Sequence, residues 1–166
     1  MAKTKAQKQA ILERLTGAFS SGKPAVFVHF KGVSVADESA MRKTLKQDQV
    51  AYFVAKKTLI GKALAESSIS GAVPPLEGEV AVAYATAGED ETLPARLLHG
   101  FSKQFGAERF SILGGIFEKM LKGQADIVAV ANIPSISVLR GMFAHVVNSP
   151  RQRFAVVLSK VAESKG

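Results

Sequence analysis

The sequence predicts an α/β (α+β) sandwich followed by a helical C-terminal extension. Short apolar runs of strand type alternate with amphipathic stretches as far as residue 123, and beyond Gly123 only helical patterns remain. The 166 residues are 47% hydrophobic and 22% charged, which is enough apolar material to bury a core and too much for a disordered chain.

Ile11, Leu12, Leu15, Ala18 and Phe19 fall within about 120° of arc, so the first helix carries one apolar stripe, which Lys5 and Lys8 continue toward the N-terminus. Those basic first turns either project toward an anionic partner or form a frayed, solvated helix start. Gly22 and Pro24 then precede a first strand over 25–30, closed by Lys31-Gly32. Ser34 with Asp37 forms a capping pair for a helix over 36–47, in which Met41 and Leu45 face inward and Arg42, Lys43 and Lys46 point elsewhere. A second strand over 50–55 leads through Lys56-Lys57-Thr58 into a short helix whose apolar side is Leu59, Ile60, Ala63 and Leu64. Gly71, Pro74-Pro75 and Gly78 make 67–79 a loop. After a third strand over 80–84, Gly88 and the acids Glu89-Asp90-Glu91 open a helix carrying Leu93, Leu97, Leu98, Phe101 and Phe105; the acids suit the positive end of its dipole. Residues 109–113 are a weaker fourth strand, and Gly114-Gly115 suggests a turn into a short extra strand with Ile116-Phe117. Helices near 124–131, 135–147 and 150–164 complete the chain. Strands joined through helices predict a largely parallel sheet.

Composition excludes several classes of function. Without cysteine there is no disulfide framework, thiolate zinc site or cysteine nucleophile, and a reducing compartment is natural. No apolar run of secretory type follows the N-terminal Met-Ala-Lys-Thr-Lys, and none approaches the ~18 residues that span a bilayer, so the expected location is the cytosol, away from membranes. Histidines 29, 99 and 145 are far apart and lie at no metal-ligand spacing. Gly22-Lys23 lacks the earlier glycine of a phosphate-binding loop, has Pro24 where a hydroxyl belongs, and precedes a strand instead of following one. Glu77 and Glu79 read as a solvated loop pair. Neither catalytic residues nor a cofactor are expected.

Charge is more informative. The net charge is +8, and residues 1–62 hold 12 basic against 4 acidic side chains, so the first third carries the whole excess. A basic pole on a folded domain is the footprint of a nucleic-acid binder, with an anionic membrane surface or an acidic protein as the alternatives that composition leaves open. Lys56-Lys57-Thr58 sharpens it, because two cations at a helix start oppose the dipole unless an anion sits there, where backbone N–H groups, ammonium groups and a hydroxyl would meet it. Lys31-Gly32 occupies the matching junction, and glycine lets a phosphate backbone approach closely. If the first two strands run parallel, both junctions lie at one edge of the sheet. Tyr52 and Phe53 read as core residues, so phosphate and shape recognition is expected in preference to base reading.

At the other end, Ser149-Pro150 reads as an N-cap and first-turn proline. Phe154, Val157, Leu158 and Val161 then follow the spacing of a helix that buries one stripe, with Val156 on the opposite face. Such a helix either closes the core or projects to receive partner helices.

In order, Phe30-Lys31-Gly32-Val33-Ser34-Val35, Met41-Arg42, Val54-Ala55-Lys56-Lys57-Thr58-Leu59, Leu76-Glu77-Gly78, Ala131-Asn132-Ile133-Pro134-Ser135, Leu139 and Ser149-Pro150 resemble the bacterial large-subunit ribosomal protein L-ten family, the ribosomal stalk-base proteins, over essentially the whole chain. The chain departs from that pattern at His29, where an acid is common, and at Lys57, where asparagine is common. The resemblance implies a mixed, ferredoxin-like sheet of four to five strands. It further implies an rRNA-binding domain over 1–123, a helical connector over 124–149 and a C-terminal helix over 150–166. That helix would bind dimers of the acidic stalk protein, through which translational GTPases are recruited. The neighbouring ribosomal protein L-eleven is the other implied partner. On this footing the expected RNA contacts are Lys3, Lys5, Lys8, Lys31, Gly32, Arg42, Lys43, Lys56, Lys57, Thr58 and Lys62, and the expected stalk-protein contacts are Arg153, Phe154, Val156, Val157, Leu158 and Val161. An assembly factor of the same fold without a stalk-binding helix, or more remotely a small cytosolic enzyme, are the alternatives.

Overall fold

The computed structural model describes residues 5–165 except 21, 68, 72, 73, 77, 87–89 and 107, and the side chains from residue 7 onward. In chain order the elements are α1 (Lys5–Ser20), β1 (Ala25–Phe30), α2 (Val35–Gln47), β2 (Val50–Val54), α3 (Lys57–Glu66), β3 (Val80–Ala85), α4 (Leu93–Phe105), β4 (Phe110–Phe117), β5 (Met120–Gly123), α5 (Gln124–Ala131) and α6 (Ile136–Lys165). They form two compact units, 1–133 and 134–166. Among the described residues no single helix is long and apolar enough to cross a membrane.

In the first unit the α/β sandwich is present, with a five-stranded sheet ordered β2-β3-β1-β4-β5. Every strand pair in it is antiparallel, which corrects the largely parallel sheet of the alternation pattern and the mixed sheet of the resemblance. The physical reason is insertion. β1 and β2, joined through α2, do run in the same direction, but β3 lies between them and pairs antiparallel with both. This is the split βαβ arrangement, and β4-β1-β3-β2 is the ferredoxin-like order.

Alternation along the strands sends side chains to two separate cores. On one face Val26, Val28, Ala81 and Ala83 meet Met41 and Leu45 of α2, Leu98 of α4 and Ile127 of α5. On the other Phe27, Val82 and Ile116 meet Leu15 and Phe19 of α1 and Ile60 and Leu64 of α3. The expected inward faces of α1, α2 and α3 are thus the buried ones. Tyr52 packs on the first core and Phe53 on the second. Because Ile127 and Ala131 are buried there, α5 belongs to the sheet unit and the structural boundary falls after Ile133, not at residue 123.

Two turns differ from expectation. Gly114-Gly115 does not turn: β4 continues through it, with a register shift against β1 between Phe27 and Val28. A Cβ on Gly115 would lie 2.5 Å from the Ala25 carbonyl oxygen of β1 and one on Gly114 would lie 2.7 Å from the Lys122 carbonyl oxygen of β5, so the glycines let both neighbouring strands approach closely. The reversal comes at Glu118-Lys119, both with positive φ (52° and 60°). Likewise Ser149-Pro150 starts no helix. α6 is one continuous helix of 30 residues with Pro150 inside it. Proline cannot donate to the Val146 carbonyl four residues back; the Ser149 hydroxyl donates to that oxygen instead, at 2.9 Å.

Candidate functional site

The shared direction of β1 and β2 puts both strand-to-helix junctions at one end of the sheet, with the start of β3 between them. Phe30 N–H donates to the Glu79 carbonyl at 3.3 Å, Ala55 N–H to the Val80 carbonyl at 3.3 Å, and Lys31 N–H to the Arg109 carbonyl at 2.8 Å. Lys31, Gly32, Lys56, Lys57, Thr58 and Lys62 are all exposed. Among the described residues none of these lysines makes an ion pair. Gly32 has φ +67°, with open space where a Cβ would stand.

The junctions are chemically unlike. At α2 the Ser34 hydroxyl accepts from Asp37 N–H, and Asp37 and Glu38 fill the first turn, so that helix start is already neutralised. The N-cap position of α3 is Lys56, which makes no side-chain cap hydrogen bond, and the first turn holds no acid. The positive end of α3 is therefore left facing solvent with Lys56, Lys57 and Thr58 around it.

Other expected RNA contacts lie elsewhere. Arg42 pairs with Glu38 at 2.5 Å and its guanidinium stands 5.5 Å from the centre of the Tyr52 ring. Across the open edge of β2, Arg14 stands 5.4 Å from the Phe53 ring. These two arginines, with Lys46, line a second groove of about 420 Å³ at the start of β2. Burial pushes the Tyr52 phenol up, aided by the Glu38 carboxylate and opposed by Arg42, and among the described residues its hydroxyl has no hydrogen-bond partner. Lys43 and Lys8 are exposed on α2 and α1; Lys3 and the side chain of Lys5 lie outside the described residues. Arg14, Lys46 and Arg109 were not among the expected contacts. Arg14 and Arg109 gain their neighbours only through long-range packing, whereas Lys46, four residues after Arg42 on one helix, was legible.

No catalytic constellation forms among the described residues. His29 Nδ1 is 3.0 Å from the Glu79 carbonyl oxygen. Burial, then Lys103, pushes the His99 imidazole down, and among the described residues no group of three acids or histidines is placed to hold a metal. Glu77, Gly88 and Glu89 lie outside the described residues.

The second unit is a different surface. α6 buries none of its residues. Phe154, Val156, Val157, Leu158 and Val161 are all exposed, and so are Ile136, Val138, Leu139, Met142, Phe143, Val146 and Val147. Because the helix is unbroken, the two sets are in phase: Ile136, Val138, Leu139 and Phe143 recur about five turns later as Phe154, Val156, Val157 and Val161. Arg153 is exposed beside the second set.

A ferredoxin-like sandwich with a cationic end, followed by a long helix that buries none of its described residues, defines an α+β class of protein with two separate surfaces. Comparison gives the particular family. The family model described as Ribosomal protein L10 matches residues 3–103. The large ribosomal subunit protein uL10 of Shouchella clausii is 32% identical over 99% of this chain and 97% of its own length. That of Bacillus licheniformis is 29% identical over 95% and 93%, and that of Macrococcus caseolyticus 30% over 96% and 90%. The chain belongs to the ribosomal protein L10 family. It is accordingly a non-enzymatic component of the ribosome, which in bacteria works in the cytoplasm.

Proposed function

We propose that this chain holds large-subunit rRNA with the cationic end of its sheet unit and anchors dimers of the acidic stalk protein along α6, so that translational GTPases are recruited through them. The observation that carries the reading is α6: twelve large apolar side chains stand exposed on one helix with no buried residue. A patch of that kind on a soluble protein marks a partner surface. The in-phase repeat extends the docking stretch beyond 154–161 to include 136–147. Lys31, Lys56, Lys57 and Lys62, which make no ion pair among the described residues, and Thr58 at the uncapped start of α3 support the RNA half. Ribosomal protein L-eleven is the proposed neighbour of the same RNA region.

Phe143→Asp and Phe154→Asp should each lower the number of acidic stalk-protein dimers retained, counted by native mass spectrometry, and together abolish retention while rRNA binding persists. Full retention by the double variant would overturn stalk anchoring. Lys56→Ala with Lys57→Ala should weaken rRNA binding and flatten its logarithmic salt dependence by up to about 2 units of slope. An unchanged slope would remove both lysines from the interface.

A further inference from the structure

Between the two junctions lies an apolar groove of about 570 Å³ that phosphate contacts leave unused. Phe30, Val54 and Val80, from three neighbouring strand ends, line it together with Lys56, Thr58 and Glu79. We propose that this groove receives one unstacked, amino-bearing nucleobase from the RNA strand whose phosphates lie on Lys31, Lys56 and Lys57. The inference rests on the RNA-binding reading above and adds base recognition to it.

Three features carry the assignment. The groove falls in the size range of small-molecule sites, and Phe30 supplies the kind of aromatic wall on which splayed bases stack. The cations at its lip complement the phosphates that must accompany a nucleotide, and Val54 is 37% exposed there, an apolar side chain kept uncovered at the end of an edge strand. The third feature is the ridge at Gly78-Glu79. Gly78 has φ +68°, and a Cβ there would lie 2.2 Å from the His29 ring, so the wall at that point is bare backbone. Beside it the Glu79 carboxylate is an acceptor for an exocyclic amino group, the pairing by which acids read cytosine N4.

The test uses the full chain and transcribed large-subunit rRNA, with base-specific chemical probing of Watson–Crick edges and titration over a salt series. The intact protein should protect one adenine, cytosine or guanine. Val54→Trp, which fills the groove, should abolish that protection and weaken binding about tenfold with the salt slope unchanged, since no charge is lost. This separates it from the double lysine variant, which changes the slope. As a second variant, Glu79→Gln should narrow the discrimination between the natural base and an analogue without its amino group. Binding with backbone protection alone, or base protection that survives Val54→Trp, would overturn the groove assignment and leave RNA binding standing. No binding by the intact protein would overturn both.

Discussion

Asp90 shows how one carboxylate organises the start of α4. Its Oδ1 accepts from the Thr92 N–H at 3.0 Å and the Thr92 hydroxyl at 2.7 Å, while Oδ2 accepts from Arg96 Nη2 at 2.7 Å. Arg96 also donates to the Ile133 carbonyl at 3.3 Å, so the same network holds the last residues of the sheet unit. Burial by itself would raise the carboxyl's pKa, but the hydrogen bonds from Arg96 and Thr92 outweigh it and hold the group below the usual carboxylate range. A depressed folded value means that the charged form stabilises the fold above the unfolded pKa, and that this contribution is lost as pH falls through the folded value. Asp90→Ala should therefore lose about 1–2 kcal/mol in urea unfolding at pH 7, with the gap to the parent protein closing below about pH 4. A gap independent of pH would mean that the carboxylate's charge plays no part. The acidic run 89–91 was legible as a helix start, but its dipole reading missed the mechanism: Asp90, two residues before the N-cap Thr92, works through side-chain hydrogen bonds to Thr92 and to Arg96 in the first turns of α4.

At the scale of elements, local chemistry and long-range packing part company. Ser34 and Asp37 close the start of α2 as their spacing implies, because a cap involves only neighbours in the chain. The glycine pair in β4 misled, since a turn and a close strand approach both call for glycine, and only the positions of β1 and β5 distinguish them. The hairpin between β4 and β5 instead reverses at two residues with side chains in left-handed backbone, where neither is at ease. Lys119→Gly should accordingly stabilise the sheet unit by about 0.5–1 kcal/mol, read as a higher urea midpoint with the slope of the transition unchanged. A loss of stability would show that the Lys119 side chain contributes packing worth more than the backbone relief. In α6 the proline that reads as a first-turn residue sits mid-helix, its missing N–H replaced by a serine hydroxyl one position earlier.

For the whole molecule, the position of α5 sets the limit of the folded unit. Ile127 and Ala131 lie in the same core as Leu45 and Leu98, whereas α6 has no buried residue. A chain ending at Ile133 should melt at the temperature of the full protein, and one ending at Gly123 should lose roughly 3–5 kcal/mol through the cavity and the exposed core face. Equal melting of the two truncations would mean that α5 adds nothing to the core. The charge distribution belongs to this scale as well. The excess over 1–62 read as one basic pole, and the fold divides it into a junction cluster around Lys31, Lys56 and Lys57 and an edge cluster around Arg14, Arg42 and Lys46. The linear sequence does not show that division, because α1 and α2 pack on opposite faces of the sheet and meet again only across the edge of β2.

By itself the sequence determined which segments are strands and helices, which helix faces turn inward, where the cations gather and that an apolar stripe waits near the C-terminus. These follow from periodicity, capping and charge, all of which act between near neighbours. Tertiary structure alone decided that β3 enters between β1 and β2, that α5 joins the core, and that an apolar groove opens beside the uncapped start of α3. Each of those depends on which distant segments compete for the same backbone partners and the same buried volume, and that competition is settled only when the whole sheet pairs.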